Sequence, residues 1–324
     1  MTRGPQSRLV RQHSRGAALL LAMILLTLVA TVAAGMVWQQ SRAIEVEGAE
    51  RARAQATWML LPGVDLARDV ARRLSNTTPG SDLSNQPWDM RVDELKLSTL
   101  LAADRDNSAD ATLDVTLSGA MVDAQSRYNL TNLFKDDGKL DENEVKILQR
   151  LCQNIGLGGV DSILVTGLQQ ARESAVAGPG ADPSVPLMPR RFEQLAWLGL
   201  DPATLAQLRD HVDILPTRTP INVNTAQAAV IAAVLDIDEG SARGLVRNRG
   251  NRYKTVADLR QRLPQGVTAD DNRVAVTSTH LYAYATLRYE DRALSEQVLL
   301  QIRGGGANAE VAVLRRERRP LTPT

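Results

Sequence analysis

The residues most suggestive of chemistry lie in one acidic run, Asp136-Asp137-Gly138-Lys139-Leu140-Asp141-Glu142-Asn143-Glu144. Setting Gly138 at the sixth position of a twelve-residue calcium loop puts Asp137 at the fifth and Glu144 at the twelfth. The first and third positions are then Leu133 and Lys135, which offer no carboxylate, so the run fails as an EF-hand. A turn leading into a helix explains the same residues, with Asp141 as N-cap and Glu144 three residues on, a capping-box-like pair. An irregular calcium site on Asp136, Asp137, Asp141 and Glu144 stays open, and calcium is the one cofactor the sequence allows for. Catalysis is not indicated. There is no G-x-S-x-G, H-E-x-x-H, phosphate-binding loop or paired-cysteine motif. The histidines are His13, His211 and His280, scattered along the chain, and the one cysteine, Cys152, reads as a small buried thiol on a helix. A net charge of +1 and 3% aromatics exclude a broad electrostatic or stacking surface for nucleic acid. The chain is expected not to be an enzyme.

The element that must position everything else is Ala17 to Trp38, 22 residues without a charge. As a helix rising 1.5 Å per residue it spans about 33 Å, enough to cross a hydrocarbon core. A secretory signal has an apolar core of only about 7–15 residues followed by a cleavage site. This core is longer and leads unbroken into an amphipathic stretch, so it reads as a retained anchor. The leader carries Arg3, Arg8, Arg11 and Arg15 and no acid, while Arg42, Glu45, Glu47 and Glu50 follow the span. That asymmetry predicts a single-pass protein with a cytoplasmic N-terminus and its main body outside. Ala30, Ala33, Ala34 and Gly35 allow close helix approach within the membrane.

Gln39 to Ala56 extends the helix outward, and Pro62-Gly63 is expected to interrupt or kink it. Helical spacing resumes with Val64, Ala67, Val70, Ala71 and Leu74 on one face. Thr112 to Val122 alternates as a strand. Helices follow, with Val145, Leu148, Leu151, Cys152 and Ile155 on one stripe, then Val160 to Glu173, then a pair split at Leu200-Asp201-Pro202. Asn272–Thr279, Leu281–Glu290 and Ala293–Gly304 read as a closing strand meander, and the tail beyond reads as frayed. Helix, strand, a block of helices, then strands is the order of a helical domain inserted into an α+β domain.

Within that block, Asn224 or Thr225 can cap the helix that follows Pro220-Ile221-Asn222-Val223-Asn224-Thr225-Ala226. The stretch Leu235 to Leu259 then resembles the helix-hairpin-helix unit that binds DNA backbones. Such units offer hairpin N–H groups to phosphate. Here Asp236, Asp238 and Glu239 stand where phosphate would dock and would repel it. The unit is expected to keep the fold without nucleic-acid binding, leaving Arg243, Arg247, Arg249 and Arg252 as a solvated face and turn. A membrane-anchored DNA-uptake protein is the alternative reading.

The junction Arg15-Gly16-Ala17, a glycine behind basic residues and ahead of the apolar run, resembles a prepilin-peptidase site. Together with SRYNLTNL, RFEQLAWLGLD and the Ile221-Asn222-Val223-Asn224-Thr225-Ala226 motif, in this order, the chain resembles the GspK family, minor pseudopilins of the type II secretion system. The resemblance implies cleavage after Gly16 on the cytoplasmic side and methylation of Ala17. It implies an α+β fold: a transmembrane pilin helix, an antiparallel pilin-like sheet, and a mostly helical domain of helix-hairpin-helix or SAM-like units inserted between strands. The boundaries are then a leader at 1–16 and a transmembrane part at 17–38. The pilin-like domain takes 39–125 and 272–304, the insertion 126–271, and a flexible tail 305–324. Pilin-like subunits usually carry glutamate at the fifth mature position, here Leu21. A buried carboxylate would need the amine of a neighbouring subunit, and a subunit at the tip has no such neighbour above it. The implied role is a tip subunit in the bacterial inner membrane that nucleates the pseudopilus for export across the outer membrane. The implied partners are companions resembling GspI and GspJ, then GspH and the major pseudopilin, and the prepilin peptidase, with no nucleic acid.

Overall fold

Helix α1, Leu9–Ser75, opens the computed structural model, which describes residues 9–75, 91–96, 115–178, 182, 184–250, 252–289, 292–304 and 309–319. The chain divides into two compact units, Met1–Met59 and Leu60–Thr324. In the first, Ala18–Gly48 is long and apolar enough to cross a membrane, and none of it is buried. Thr27 and Thr31 turn their hydroxyls back onto the carbonyls of Ile24 and Leu28, each at 2.9 Å, which hides both donors from an apolar surrounding. The Arg42 guanidinium lies 5.5 Å from the Trp38 ring at the end of the apolar run. The leader residues 1–8 lie outside the described residues, and Gly16 and Ala17 are described only as helical backbone.

The expected interruption at Pro62-Gly63 does not occur: the helix runs through it to Ser75. A proline inside a helix removes one N–H and clashes with a carbonyl. Here the turns that follow are fixed by tertiary burial. Val64 and Ala71 are buried, with Ala67 and Val70 packed beside them, as the spacing predicted; the Leu74 side chain lies outside the described residues.

These turns of α1 cover a five-stranded antiparallel sheet, made of β1 (Arg91–Lys96), β2 (Val115–Asp123), β7 (His280–Tyr289), β8 (Arg292–Arg303) and β9 (Glu310–Arg319), in the order β1-β2-β7-β8-β9. Alternation sorts the side chains. Met121, Leu281, Ala283, Val298, Leu300, Ile302 and Val311 face α1, whereas Tyr282 and Leu299 face the other way, onto Ala124 and Leu215.

One strand corrects the sequence reading and another adds to it. The segment expected to be a flexible tail supplies β9, because Val311 and Leu314 reach the cores on opposite faces of the sheet. A register shift between Leu299 and Leu300 accommodates the strand, and Arg316 forks onto the buried Glu296. Its many arginines hid it, and charge of this kind is what protects an edge strand from unwanted pairing. β1, RVDELK, lacks apolar alternation and is held by backbone pairing to β2 and an Arg288–Glu94 contact at 3.2 Å.

Between β2 and β7 the chain builds the mostly helical part. Its strand pairs are β3 (Tyr128–Asn129) with β4 (Val212–Asp213), and β5 (Ile221–Asn222) with β6 (Val274–Ala275), both parallel. Its helices are α2 (Glu142–Asn154), α3 (Val160–Ala177), α4 (Pro202–Leu208), α5 (Ala228–Leu235), α6 (Glu239–Arg247) and α7 (Val256–Arg260). One core runs from Tyr128 to Val276. The insertion therefore spans 124–279, between the end of β2 and the start of β7, wider than the expected 126–271. Asn272–Thr279 is not a strand of the meander: its Val274–Ala275 pairs inside the insertion. Phe192–Leu198 forms a 3-10 helix rather than an α-helix, closed by Gly199 at φ 87°. Asp201 caps α4 with Pro202 behind it, as expected.

Candidate functional site

The Ile221–Ala226 motif lies where the insertion leaves and rejoins the sheet. β2 ends on Asp123, whose carboxylate is buried and accepts four hydrogen bonds: Gln125 N–H at 2.8 Å, Asn222 Nδ2 at 2.8 Å, Thr225 Oγ1 at 2.5 Å and Ser278 Oγ at 2.6 Å. Burial raises the Asp123 carboxyl above its ordinary value, and the donors from Ser278, Thr225, Gln125 and Asn222 pull it back. Gln125 completes the clamp. Its Nε2 donates to the Pro220 carbonyl at 2.8 Å, and its Oε1 accepts from Thr279 N–H at 2.6 Å and His280 N–H at 3.1 Å. The chain's exit at 123–125, its return at 278–280 and the motif strand β5 are thus bound to each other through two side chains.

The motif asparagines work inward, not as helix caps. Asn224 donates through Nδ2 to the carbonyls of Tyr253 and Val276 at 2.9 and 2.8 Å and accepts from Tyr253 N–H at 3.0 Å. The residue at the N-cap of α5 is Gln227, whose side chain makes no cap bond. Ile221, Val223 and Ala226 are buried in the insertion core. The expectation that Asn224 or Thr225 caps α5 is corrected by these partners. Both are drawn away by buried acceptors and donors that only the tertiary fold supplies.

SRYNLTNL does the same on the other side. Asn129 accepts from Thr131 and Leu215 N–H and donates to the Thr217 carbonyl at 2.7 Å. Asn132 exchanges both hydrogen bonds with the Thr219 backbone, at 2.9 and 3.0 Å. The loop 213–219 is thereby tied down just before β5.

Asp141 caps α2 through Asn143 N–H, but Glu144 does not complete a capping box. It is buried, accepts from the Tyr128 hydroxyl at 3.0 Å and pairs with Arg273 Nε at 2.8 Å. Asp136 and Asp137 are exposed, with Asp137 bound to Lys139 N–H at 3.0 Å. Among the described residues no group of three or more His, Cys, Asp or Glu side chains could hold a metal, so the calcium expectation finds no donor set there. Cys152 is buried on α2, and burial pushes its thiol up to about 12.

In the hairpin, Asp236 adopts φ 55° and meets Arg150 at 3.1 Å, Asp238 caps α6 through Ser241 N–H at 2.9 Å, and Glu239 meets Arg243 at 2.6 Å. The acids are spent on local structure at the place where a phosphate would dock. Arg249 is not solvated as expected. It donates to the Ala226 carbonyl, and burial pulls its guanidinium down to about 10. Leu21 points outward from α1.

Sequence reasoning missed Asp123, Gln125, Ser278 and Thr279. Asp123 and Ser278 are 155 residues apart, and no spacing rule links them.

Family models described as type II secretion system protein K match residues 126–217 and 221–277. The type II secretion system protein K of Pseudomonas aeruginosa is 26% identical over 326 residues, covering 95% of this chain and 94% of the relative. A chain of the GspK-GspI-GspJ complex from the type 2 secretion system of enterotoxigenic Escherichia coli superposes with a TM-score of 0.61 at 15% identity, over 84% of this chain and 99% of that one. The two matches fall on the two halves of the insertion and meet at the end of the loop that Asn129 and Asn132 tie down. Along nearly its whole length the chain is thus similar to protein K of the type II secretion system, and both family models of that protein match its insertion.

Proposed function

We propose that this minor pseudopilin sits at the tip of the pseudopilus and primes its growth, assembling rather than catalysing. The observation that carries the reading is the wholly unburied apolar helix Ala18–Gly48 joined to a unit that already has its own cores. Such a helix is stable only in lipid or against other helices. Its small residues suit close packing against companion helices, and the solved relative assembles with GspI and GspJ, so subunits resembling these are the proposed neighbours. Leu21 fits a subunit with nothing above it. The proposed topology is N-terminus cytoplasmic and main body periplasmic, with cleavage after Gly16 and methylation of Ala17.

Mass spectrometry of the N-terminus, with and without prepilin peptidase, tests the processing. A methylated Ala17 that appears only with the peptidase is the expected result, and an intact Met1 in its presence refutes it. Co-expression with GspI-like and GspJ-like partners tests the assembly, and failure of the full chain to co-purify with either would sink the tip reading. DNA uptake has no support in the hairpin. A gel shift with the full chain at low salt should show no salt-dependent retardation.

A further inference from the structure

The insertion carries a basic corner. From Glu239 to Arg262 the sequence holds seven arginines and lysines against two acids, in a chain whose net charge is only +1. The corner is built by the end of α6, the 3-10 turn Asn248–Gly250 that follows it, and α7 with Arg262 just beyond. Two of its cations are matched, Arg243 by Glu239 at 2.6 Å and Arg260 by Asp271 at 2.7 Å. The other acid, Asp258, accepts the Lys254 and Thr255 N–H groups at the start of α7, at 3.1 and 3.0 Å. Arg247, Arg249 and Arg262 pair with no carboxylate among the described residues.

These guanidiniums are partly held in place. Arg262 lies 5.2 Å from the Tyr253 ring, which is buried and has its hydroxyl bound to the Leu245 carbonyl at 3.1 Å. The same tyrosine is within electrostatic reach of Arg249, which is recessed, donates to the Ala226 carbonyl and keeps a buried Nε with no acceptor among the described residues. Arg247 projects from the last turn of α6. Seating such side chains beforehand lowers the ordering cost of binding, and a guanidinium fork matches carboxylate or phosphate. A bilayer surface is a plane and reaches only groups that project, whereas Arg249 is set back. A nucleic acid carries its phosphates on past the corner toward Asp238 and Glu239, which repel them, and the buried Tyr253 offers no base a stacking face. A glutamate or aspartate on a loop reaches in on one flexible side chain and stops short of the hairpin.

We propose that this corner docks an acidic loop of a partner protein, its carboxylates taken by Arg247, Arg249 and Arg262. The test is calorimetric titration of the full chain, in a nonionic detergent at low salt, with the capped peptide Gly-Glu-Asp-Glu-Asp-Gly. The same peptide with amides in place of its acids, a short DNA duplex, and detergent micelles doped with phosphatidylglycerol are the comparison probes. Saturable binding of the acidic peptide is expected, at least tenfold tighter than that of its amide counterpart. Replacing Arg247→Gln and Arg262→Gln together should weaken it at least tenfold, and Arg262→Lys alone by less. Both arginines are exposed, so these changes leave the core intact. Arg303→Gln, which removes an exposed arginine of β8, should change nothing. No saturable binding of the peptide, equal weakening by Arg303→Gln, or tighter binding of the duplex or the doped micelles than of the peptide would each overturn the proposal. Binding is read on the purified chain, so it stands or falls separately from assembly at the tip.

Discussion

Replacing Asp123 with alanine should destabilise the unit that holds the sheet and the insertion by about 3–6 kcal/mol, because it removes the acceptor on which the two ends of the insertion converge. Four donors lose their partner, but not equally. Thr225 Oγ1 can turn to the Asn222 carbonyl at 3.3 Å, and Asn222 Nδ2 keeps Ser278 Oγ at 3.0 Å. The Gln125 N–H and the Ser278 hydroxyl are left without an equivalent. Hydrogen bonds to a charged acceptor contribute about 1.5–3 kcal/mol each, so two net losses give the stated range. Hydrogen exchange on the full chain in detergent reads this directly. Protection should fall by more than a hundredfold at Ile221 and Val223, whose amides bond to Arg273 and Ala275, while the amides within β8 change little. A loss under about 1 kcal/mol, or a uniform loss across the sheet, would refute the view that this carboxylate clamps the insertion.

Three further outcomes follow from the same geometry. Glu144→Gln should lower stability by about 2–3 kcal/mol, since Arg273 loses its charge partner while remaining a third exposed; a thermal melt beside the parent chain checks it. Asn132→Ala breaks both bonds to Thr219 and should cost about 2–3 kcal/mol, with faster exchange at the Thr219 amide as its local signature. His280 is buried, and burial lowers its imidazole from 6.5 to about 4. The folded form resists the proton that the unfolded form takes up. Its contribution is therefore present above about pH 6.5 and is lost as the pH falls toward 4, up to about 3 kcal/mol. The raised carboxyl of Asp123 acts with the opposite sign as its own folded value is crossed. Denaturant unfolding at stepped pH should consequently show a flatter acid limb in His280→Gln than in the parent, and identical limbs would count against this assignment.

The sequence by itself determined whatever depends on local period and length. An uncharged run fixes the apolar helix, a stripe at helical spacing fixes the buried face of α2, Asp201-Pro202 fixes a helix start, and alternation fixes β2, β7 and β8. These signals survive because each element buries one face, and its residues are chosen a few positions apart. Motif order was enough for the family. The tertiary structure decided the rest. It turned an arginine-rich tail into β9 by giving Val311 and Leu314 a core on each face, and it carried α1 through Pro62-Gly63 by burying the turns beyond. It moved Glu144 from a cap to an ion pair, and Asn224 and Thr225 from a helix end into a buried network. A buried polar group goes to whichever partner the fold brings within reach, and the partners of Asp123 lie up to 155 residues away. Spacing along the chain carries no record of such contacts, so the clamp became visible only once the strands had been paired.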